Sequence, residues 1–90
     1  SFFTPDGTRC ELPHGATLVD AAYFIHTDIG KHMIKASVNG VIKPDNYKIR
    51  EGETIRIFTN GEVYPTEEQL KNAKTNYAKA AINRALKRKI

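Results

Sequence analysis

The dipeptide Asn39-Gly40 constrains the fold of this chain more than any other feature. It separates a segment that alternates in polarity, residues 33–38, from a second short apolar segment, residues 41–43. Asn-Gly between two such segments is the strongest local signal for a two-residue β-hairpin, because both residues tolerate positive φ. The middle of the chain is therefore predicted to form an antiparallel hairpin.

Two further regions have strand character. At the N-terminus, the turn residues 5–8 separate the short strands 2–4 and 9–12, which predicts a second hairpin. Residues 54–59 again carry alternating isoleucines and form the last predicted strand. The predicted core contains the following apolar residues: Phe3, Cys10, Leu12, Leu18, Ala22, Ile25, Ile34, Val38, Ile55 and Ile57.

A helix is predicted between the first two hairpins. Thr17 is the expected N-cap, Asp20 stands at the capping-box position, and Gly30 is the expected left-handed C-terminal residue. The apolar positions repeat with helical spacing, so Asp20, Tyr23 and Phe24 are expected to point away from the core. One helix across one face of a small mixed sheet is an α+β fold of the β-grasp, or ubiquitin-like, arrangement.

The remainder is predicted to be a C-terminal helical extension. Thr66 and Gln69 have capping-box spacing, and another helix is expected to begin near Thr75. The apolar face of this last helix is mostly alanine and would bury little area, so it is expected to dock weakly or to await a missing neighbour. The predicted domain is residues 2–60, folding without the extension 61–90.

Charge is divided unevenly along the chain. The net charge is +4, yet residues 1–70 carry seven basic and ten acidic side chains, whereas residues 71–90 carry seven basic side chains and no acid. Lys87, Arg88 and Lys89 are therefore candidates for non-specific phosphate contacts. A solvated helix face is the alternative interpretation.

Size and composition disfavour several classes of protein. Ninety residues support one small core and leave little room for a deep catalytic cleft. A single cysteine, Cys10, excludes an internal disulfide, and three scattered histidines predict no metal site or cofactor. No signal peptide or long apolar run is present, so the expected location is the cytoplasm. Because the chain has no initiator methionine and its first residues include the apolar pair Phe2-Phe3, we expect it to be a fragment of a larger protein.

Several motifs resemble one known family. The segments that carry the resemblance are Phe3-Thr4-Pro5-Asp6-Gly7, Leu12-Pro13-His14-Gly15-Ala16-Thr17, Ile25-His26-Thr27-Asp28-Ile29-Gly30 and Ala36-Ser37-Val38-Asn39-Gly40. They are similar to the TGS domain of RelA/SpoT-family (p)ppGpp synthetase/hydrolases (GTP pyrophosphokinases). Pro65 and the pattern of Lys74, Thr75, Ala78 and Ile82 resemble the segment that follows the domain in that family.

The resemblance implies regulation in the stringent response and no catalysis by this stretch, since the family's catalytic domains lie N-terminal to it. It implies contact with the ribosome and the 3′ CCA end of uncharged tRNA, or relay to the catalytic domains of the parent chain. The alternative is a protein-interaction module that docks acyl carrier protein or the parent's own domains. No membrane partner is expected.

Four residues are the candidates for ligand or RNA binding. Lys31 and His32 follow the helix and are expected to be exposed, and the ring of Tyr23 is expected beside them. A cation, an imidazole and an aromatic ring are suited to a single-stranded RNA end. His26 is the fourth candidate, although a structural hydrogen bond is the more common role for such a histidine.

Overall fold

The fold is a small α+β arrangement of five strands and four helices within the described residues. The structure, a computed structural model, describes the backbone of residues 1–88 and the side chains of residues 1–87. The elements in chain order are β1 (Phe2–Phe3), β2 (Arg9–Cys10), α1 (Leu18–Ile25), α2 (Thr27–Lys31), β3 (Met33–Val38), β4 (Val41–Lys43), β5 (Ile55–Thr59), α3 (Glu67–Asn72) and α4 (Asn76–Arg88).

The central hairpin forms where Asn39-Gly40 predicts it. Val38 pairs with Val41, and the two turn residues have φ of 50° and 86°, as a two-residue loop of this hand requires. Strand β3 lies in the middle of the three-stranded antiparallel sheet, between β4 and β5. The prediction of this hairpin is confirmed, and its register is now fixed.

The N-terminal hairpin adds a parallel element to the sheet. Strands β1 and β2 pair with each other, and Phe3 forms a parallel bridge with Thr54, the residue immediately before β5. The Phe3 amide donates to the Glu53 carbonyl oxygen at 2.8 Å. The predicted α+β, β-grasp arrangement is thereby confirmed.

Helix α1 separates two clusters of buried side chains. The cluster between α1 and the strands contains Phe2, Cys10, Leu18, Ala21, Ala36, Val38 and Ile55. The cluster between α1 and the C-terminal helices contains Val19, Ala22, Tyr23, Met33, Ala73, Ala78, Ala81 and Ile82. Both faces of α1 are therefore covered.

Two predicted core positions are shifted by one residue. Phe2 is buried and Phe3 only half-buried, because the side chains of the two-residue strand β1 alternate in the register opposite to the predicted one. Ile34 is 48% exposed while Met33 is buried, since a register irregularity between Met33 and Lys35 turns the side chains of β3. A one-residue change exchanges the two faces of a strand.

The predicted single helix is divided into two at His26. This residue has extended backbone angles, φ −167° and ψ 142°, and its Nδ1 accepts a hydrogen bond from the Asp28 amide at 3.0 Å. His26 is thus the N-cap of α2. Gly30 lies inside α2 and does not have positive φ, so its predicted role as a left-handed C-terminal residue is wrong.

The C-terminal extension is joined to α1 through the carboxylate of Asp20. This side chain is 1% exposed, so the prediction that it points away from the core is wrong, whereas its predicted place in a capping box with Thr17 is confirmed. Its Oδ2 accepts from the Thr17 amide at 2.8 Å, and its Oδ1 accepts from the Lys74 amide at 2.9 Å, the Thr75 amide at 2.9 Å and the Thr75 hydroxyl at 3.0 Å. One carboxylate therefore caps α1 and also holds Lys74 and Thr75, the two residues immediately before α4.

The predicted boundary after residue 60 coincides with the end of the sheet. The packing crosses it, because Ala78, Ala81 and Ile82 of α4 lie in the same cluster as Val19 and Tyr23 of α1. Independent folding of residues 2–60 remains a prediction. A chain that ends at residue 60 would lose these contacts.

The stability of the fold is expected to fall between about pH 10 and pH 12 because the buried Tyr23 hydroxyl resists ionisation. Burial raises the pKa of Tyr23 from 10.0 to about 12, so the unfolded chain releases this proton first and binds fewer protons in that interval. The free energy of unfolding therefore decreases as the pH rises through it. Urea unfolding at pH 9, 10 and 11 should show this decrease, and Tyr23→Phe should lack the part due to this group. An identical slope in the variant would contradict the assignment.

Candidate functional site

The junction between α2 and β3 holds His32 against a loop that is distant in sequence. Met33 pairs with Thr59, which brings the residues after β5 beside the start of β3. The Asn60 amide donates to the His32 carbonyl oxygen at 2.9 Å, and His32 Nδ1 lies 2.8 Å from the Val63 carbonyl oxygen. The Val63 carbonyl therefore orients the imidazole, and the Asn60 amide holds the backbone of His32 against the same loop.

The hydrogen bond to Val63 sets the proton on the His32 ring. A carbonyl oxygen can only accept, so Nδ1 carries the hydrogen and donates it. In the neutral ring, Nε2 is then the acceptor, and it has no hydrogen-bond partner among the described residues. This atom is available to a hydroxyl donor.

Tyr64 supplies the aromatic ring next to His32. The two ring centroids are 5.7 Å apart at an interplanar angle of 66°, and Tyr64 is 55% exposed. We call His32, Val63 and Tyr64 the His32 corner. Sequence reasoning missed Tyr64 because its proximity depends on the β3–β5 pairing, whose register would have been the signal.

The predicted role of Tyr23 as an exposed stacking platform is wrong. Its ring is 1% exposed and packs against Met33 and the alanine face of α4. The Tyr23 hydroxyl has no hydrogen-bond partner among the described residues. The side chain is a core residue, because α4 covers the face of α1 that the helical pattern alone left open.

Lys31 and His32 are neighbours in the chain but have different surroundings. Whereas His32 faces the loop at Val63, Lys31 is half-buried and lines a cleft of about 120 Å³ between α2 and α4. Arg84 and Tyr77 line the same cleft from α4. The predicted site residues Lys31, His32 and Tyr23 therefore do not lie together in one site.

His26 performs a structural task with one ring nitrogen. Its Nδ1 caps α2, while the imidazole remains largely exposed and lies 3.9 Å from Asp28 Oδ2. A role in ligand binding would have to use Nε2. That role stays a prediction.

Comparison with known proteins identifies the fold at the level of a family. The family model described as the TGS domain matches residues 1–59. This chain belongs to the TGS domain family.

Relatives of this TGS domain are enzymes of (p)ppGpp metabolism in the RelA/SpoT family. It is 41% identical over 85 residues to a protein from Myxococcus xanthus named GTP pyrophosphokinase, covering 94% of the chain and 11% of that protein. It is 43% identical over 86 residues to a guanosine-3′,5′-bis(diphosphate) 3′-pyrophosphohydrolase from Aquifex aeolicus, covering 96% of the chain and 12% of that protein. The chain thus spans about a tenth of the length of the relatives it matches.

The basic residues of the TGS domain's extension lie partly outside the described residues. Lys87 is exposed on α4. The side chain of Arg88 and the whole of Lys89, both predicted to contact phosphates, lie outside what the structure describes.

Groups that could support chemistry are few in the described part of this TGS domain. Within it, no three His, Cys, Asp or Glu side chains are placed to hold a metal ion. Burial raises the pKa of the Cys10 thiol, with a smaller contribution from the charge of Asp6, and a raised pKa disfavours the reactive thiolate. Among the described helices, none is long and apolar enough to cross a bilayer.

Proposed function

We propose that this TGS domain is a non-catalytic regulatory module of a cytoplasmic (p)ppGpp synthetase/hydrolase, and that its His32 corner contacts the 3′ end of tRNA. The observation that carries the proposal is the His32 ring, which is fixed by the Val63 carbonyl and leaves Nε2 as an acceptor beside an exposed tyrosine. The relatives' names supply the setting of (p)ppGpp synthesis and hydrolysis.

The chemistry of an RNA end fits these groups. A free 3′-terminal ribose presents 2′ and 3′ hydroxyl donors, and His32 Nε2 can accept from one of them. Tyr64 can stack against the terminal base, a contact that tolerates any base. An aminoacyl ester removes one hydroxyl donor and adds bulk, so the corner would favour uncharged over charged tRNA.

The extension would supply attraction without sequence preference. Lys79 and Lys87 are exposed on α4, a helix without acidic residues, and such cations neutralise phosphates and release counterions. Residues 1–70 carry a net negative charge and cannot attract RNA through it. RNA binding is therefore expected to have two parts: a salt-dependent attraction by the extension, and recognition of the 3′ end at the His32 corner.

Binding of tRNA by variants tests the proposal. His32→Ala is expected to abolish the preference for tRNA with a free CCA end over tRNA lacking it, and to leave the salt dependence of binding unchanged. A double variant, Lys79→Gln with Lys87→Gln, is expected to weaken binding to both RNAs and to reduce the salt slope. Undiminished discrimination by the His32 variant would contradict the proposed contact.

Absence of catalysis is a separate part of the proposal. It is supported by the lack of clustered metal ligands in the described residues and by the raised pKa of the Cys10 thiol. The purified chain should therefore neither transfer pyrophosphate from ATP to GTP nor hydrolyse (p)ppGpp. Turnover above a protein-free blank would refute this part.

Docking of a protein is the second candidate function, and the exposed Phe24 favours it. This ring is 47% exposed, and with Ile25, Pro5 and Cys10 it borders a shallow apolar depression. Acyl carrier protein or a domain of the parent chain would fit such a surface. Phe24→Ala should then weaken binding of acyl carrier protein and leave tRNA binding intact, whereas the reverse pattern would favour RNA at this surface.

A further inference from the structure

The cleft between α2 and α4 combines cations and hydroxyl groups that no other role accounts for. Its lining residues are Thr27, Lys31, Tyr77, Ala81, Arg84 and Ala85. Neither Lys31 nor Arg84 forms an ion pair with a carboxylate among the described residues. The carboxylate of the neighbouring Asp28 lies instead near the ring of His26.

A pair of hydroxyls bridges the two helices at the cleft. Thr27 Oγ1 and Tyr77 Oη lie 2.8 Å apart. In such a pair one hydroxyl donates to the other, and the hydroxyl that accepts keeps its own proton for a third group. The cleft therefore offers one hydroxyl donor together with an ammonium and a guanidinium.

We propose that this cleft binds a phosphate group, held by Lys31 from α2 and Arg84 from α4, with the Thr27–Tyr77 hydroxyl pair as a further donor. Arginine provides a planar fork that matches two phosphate oxygens, and lysine provides a mobile point charge. The cleft, of about 120 Å³, is much smaller than a drug-sized pocket of roughly 300–1,000 Å³. It accepts a phosphate group and leaves the rest of the ligand outside.

Because the cleft lies between α2 and α4, a bound phosphate would strengthen the packing of the C-terminal extension on the rest of the chain. A phosphate between Lys31 and Arg84 links α2 to α4, and ligand bound only to this docked arrangement stabilises it by mass action. The phosphate can belong to an RNA backbone or to a free nucleotide. The site stands apart from the His32 corner, since it uses Arg84 and Tyr77 and neither His32 nor Tyr64.

Titration of the whole chain with inorganic phosphate, followed by amide NMR at constant ionic strength, tests the site. Saturable shifts are expected at Thr27, Lys31 and Tyr77, with chloride as the reference anion. Arg84→Gln should weaken the apparent affinity about tenfold or more, because charge-assisted hydrogen bonds are lost. Arg84→Lys should recover part of it. Lys48→Gln removes an exposed cation away from α4 and from the cleft; it is the matched control and should bind as the parent chain does.

Two further arms distinguish the sources of the phosphate. Guanosine diphosphate and a short single-stranded RNA are each titrated into the parent chain and into Arg84→Gln, and the ligand whose affinity falls in the variant is the one that uses the cleft. His32→Ala should leave phosphate binding unchanged, which separates this site from the proposed tRNA contact. Shifts that do not saturate, or affinities equal in Arg84→Gln and Lys48→Gln, would overturn the proposal.

Discussion

Asp20→Ala is expected to lower the free energy of unfolding by about 3–5 kcal/mol, because it leaves one buried donor and three partly buried donors without their acceptor. The carboxylate accepts from the amides of Thr17, Lys74 and Thr75 and from the Thr75 hydroxyl. A small domain has only about 5–15 kcal/mol of stability in total, so the variant should be marginally folded at best. Urea unfolding monitored by circular dichroism measures the loss.

Hydrogen exchange of the backbone amides would show which part of the Asp20→Ala variant unfolds first. The amide of Ala78, which donates to the Thr75 hydroxyl oxygen, should exchange much faster once the N-terminus of α4 is released. Asp20→Asn should also be destabilising, since its amide group turns one acceptor into a donor. Glu62→Gln removes an exposed carboxylate and is the control, expected within about 0.5 kcal/mol of the parent chain. An equally small effect of Asp20→Ala would contradict the capping role.

Gly30→Ala is expected to destabilise the chain by about 3 kcal/mol, although glycine to alanine in a helix ordinarily stabilises. A Cβ at position 30 would lie 2.5 Å from Tyr23 Cγ and 2.6 Å from its Cδ1 and Cδ2. The Tyr23 ring is buried against α4 and cannot move aside without opening that cluster. Glycine is therefore required at position 30 because the Tyr23 ring approaches its Cα closely, and not because of the backbone conformation.

Gly61→Ala is the matched control for this substitution. Its Cβ would have no atom within 4 Å, and its φ is not positive, so the change should be neutral or slightly stabilising. In a Tyr23→Leu background, Gly30→Ala should cost less than in the parent chain, because contacting residues are not additive. Equal thermal stability of the Gly30 and Gly61 variants would refute the packing argument.

Local signals in the sequence predicted the elements correctly where the stabilising contacts are themselves local. The Asn39-Gly40 hairpin and the Thr66 capping box depend on residues within four positions of one another, and so does the cap that the Thr75 hydroxyl provides to the Ala78 amide of α4. The division at His26 was missed because the helical apolar pattern continues through it. The extended backbone of His26 and the bond from the Asp28 amide to its ring show the break only in the structure.

The side of α1 that carries Asp20 and Tyr23 could not be predicted from its own pattern. Both are polar or amphipathic side chains opposite the main apolar stripe, and the residues that cover them, in α4 and immediately before it, lie more than fifty positions away. Long-range contacts also explain why the sequence pointed to Tyr23 as the ring beside His32, whereas in the structure that ring belongs to Tyr64. Tyr64 reaches His32 only through the pairing of β3 with β5.

Amide NMR with two RNA oligonucleotides tests the proposed contact at the His32 corner most directly. One oligonucleotide ends in CCA with a free 3′ hydroxyl, and the other is identical except for a blocked 3′ end. The amides of His32, Val63 and Tyr64 are expected to shift strongly with the first and weakly with the second, while Lys79 and Lys87 on α4 respond equally to both. Equal shifts at the His32 corner with both oligonucleotides, or shifts confined to α4, would contradict it.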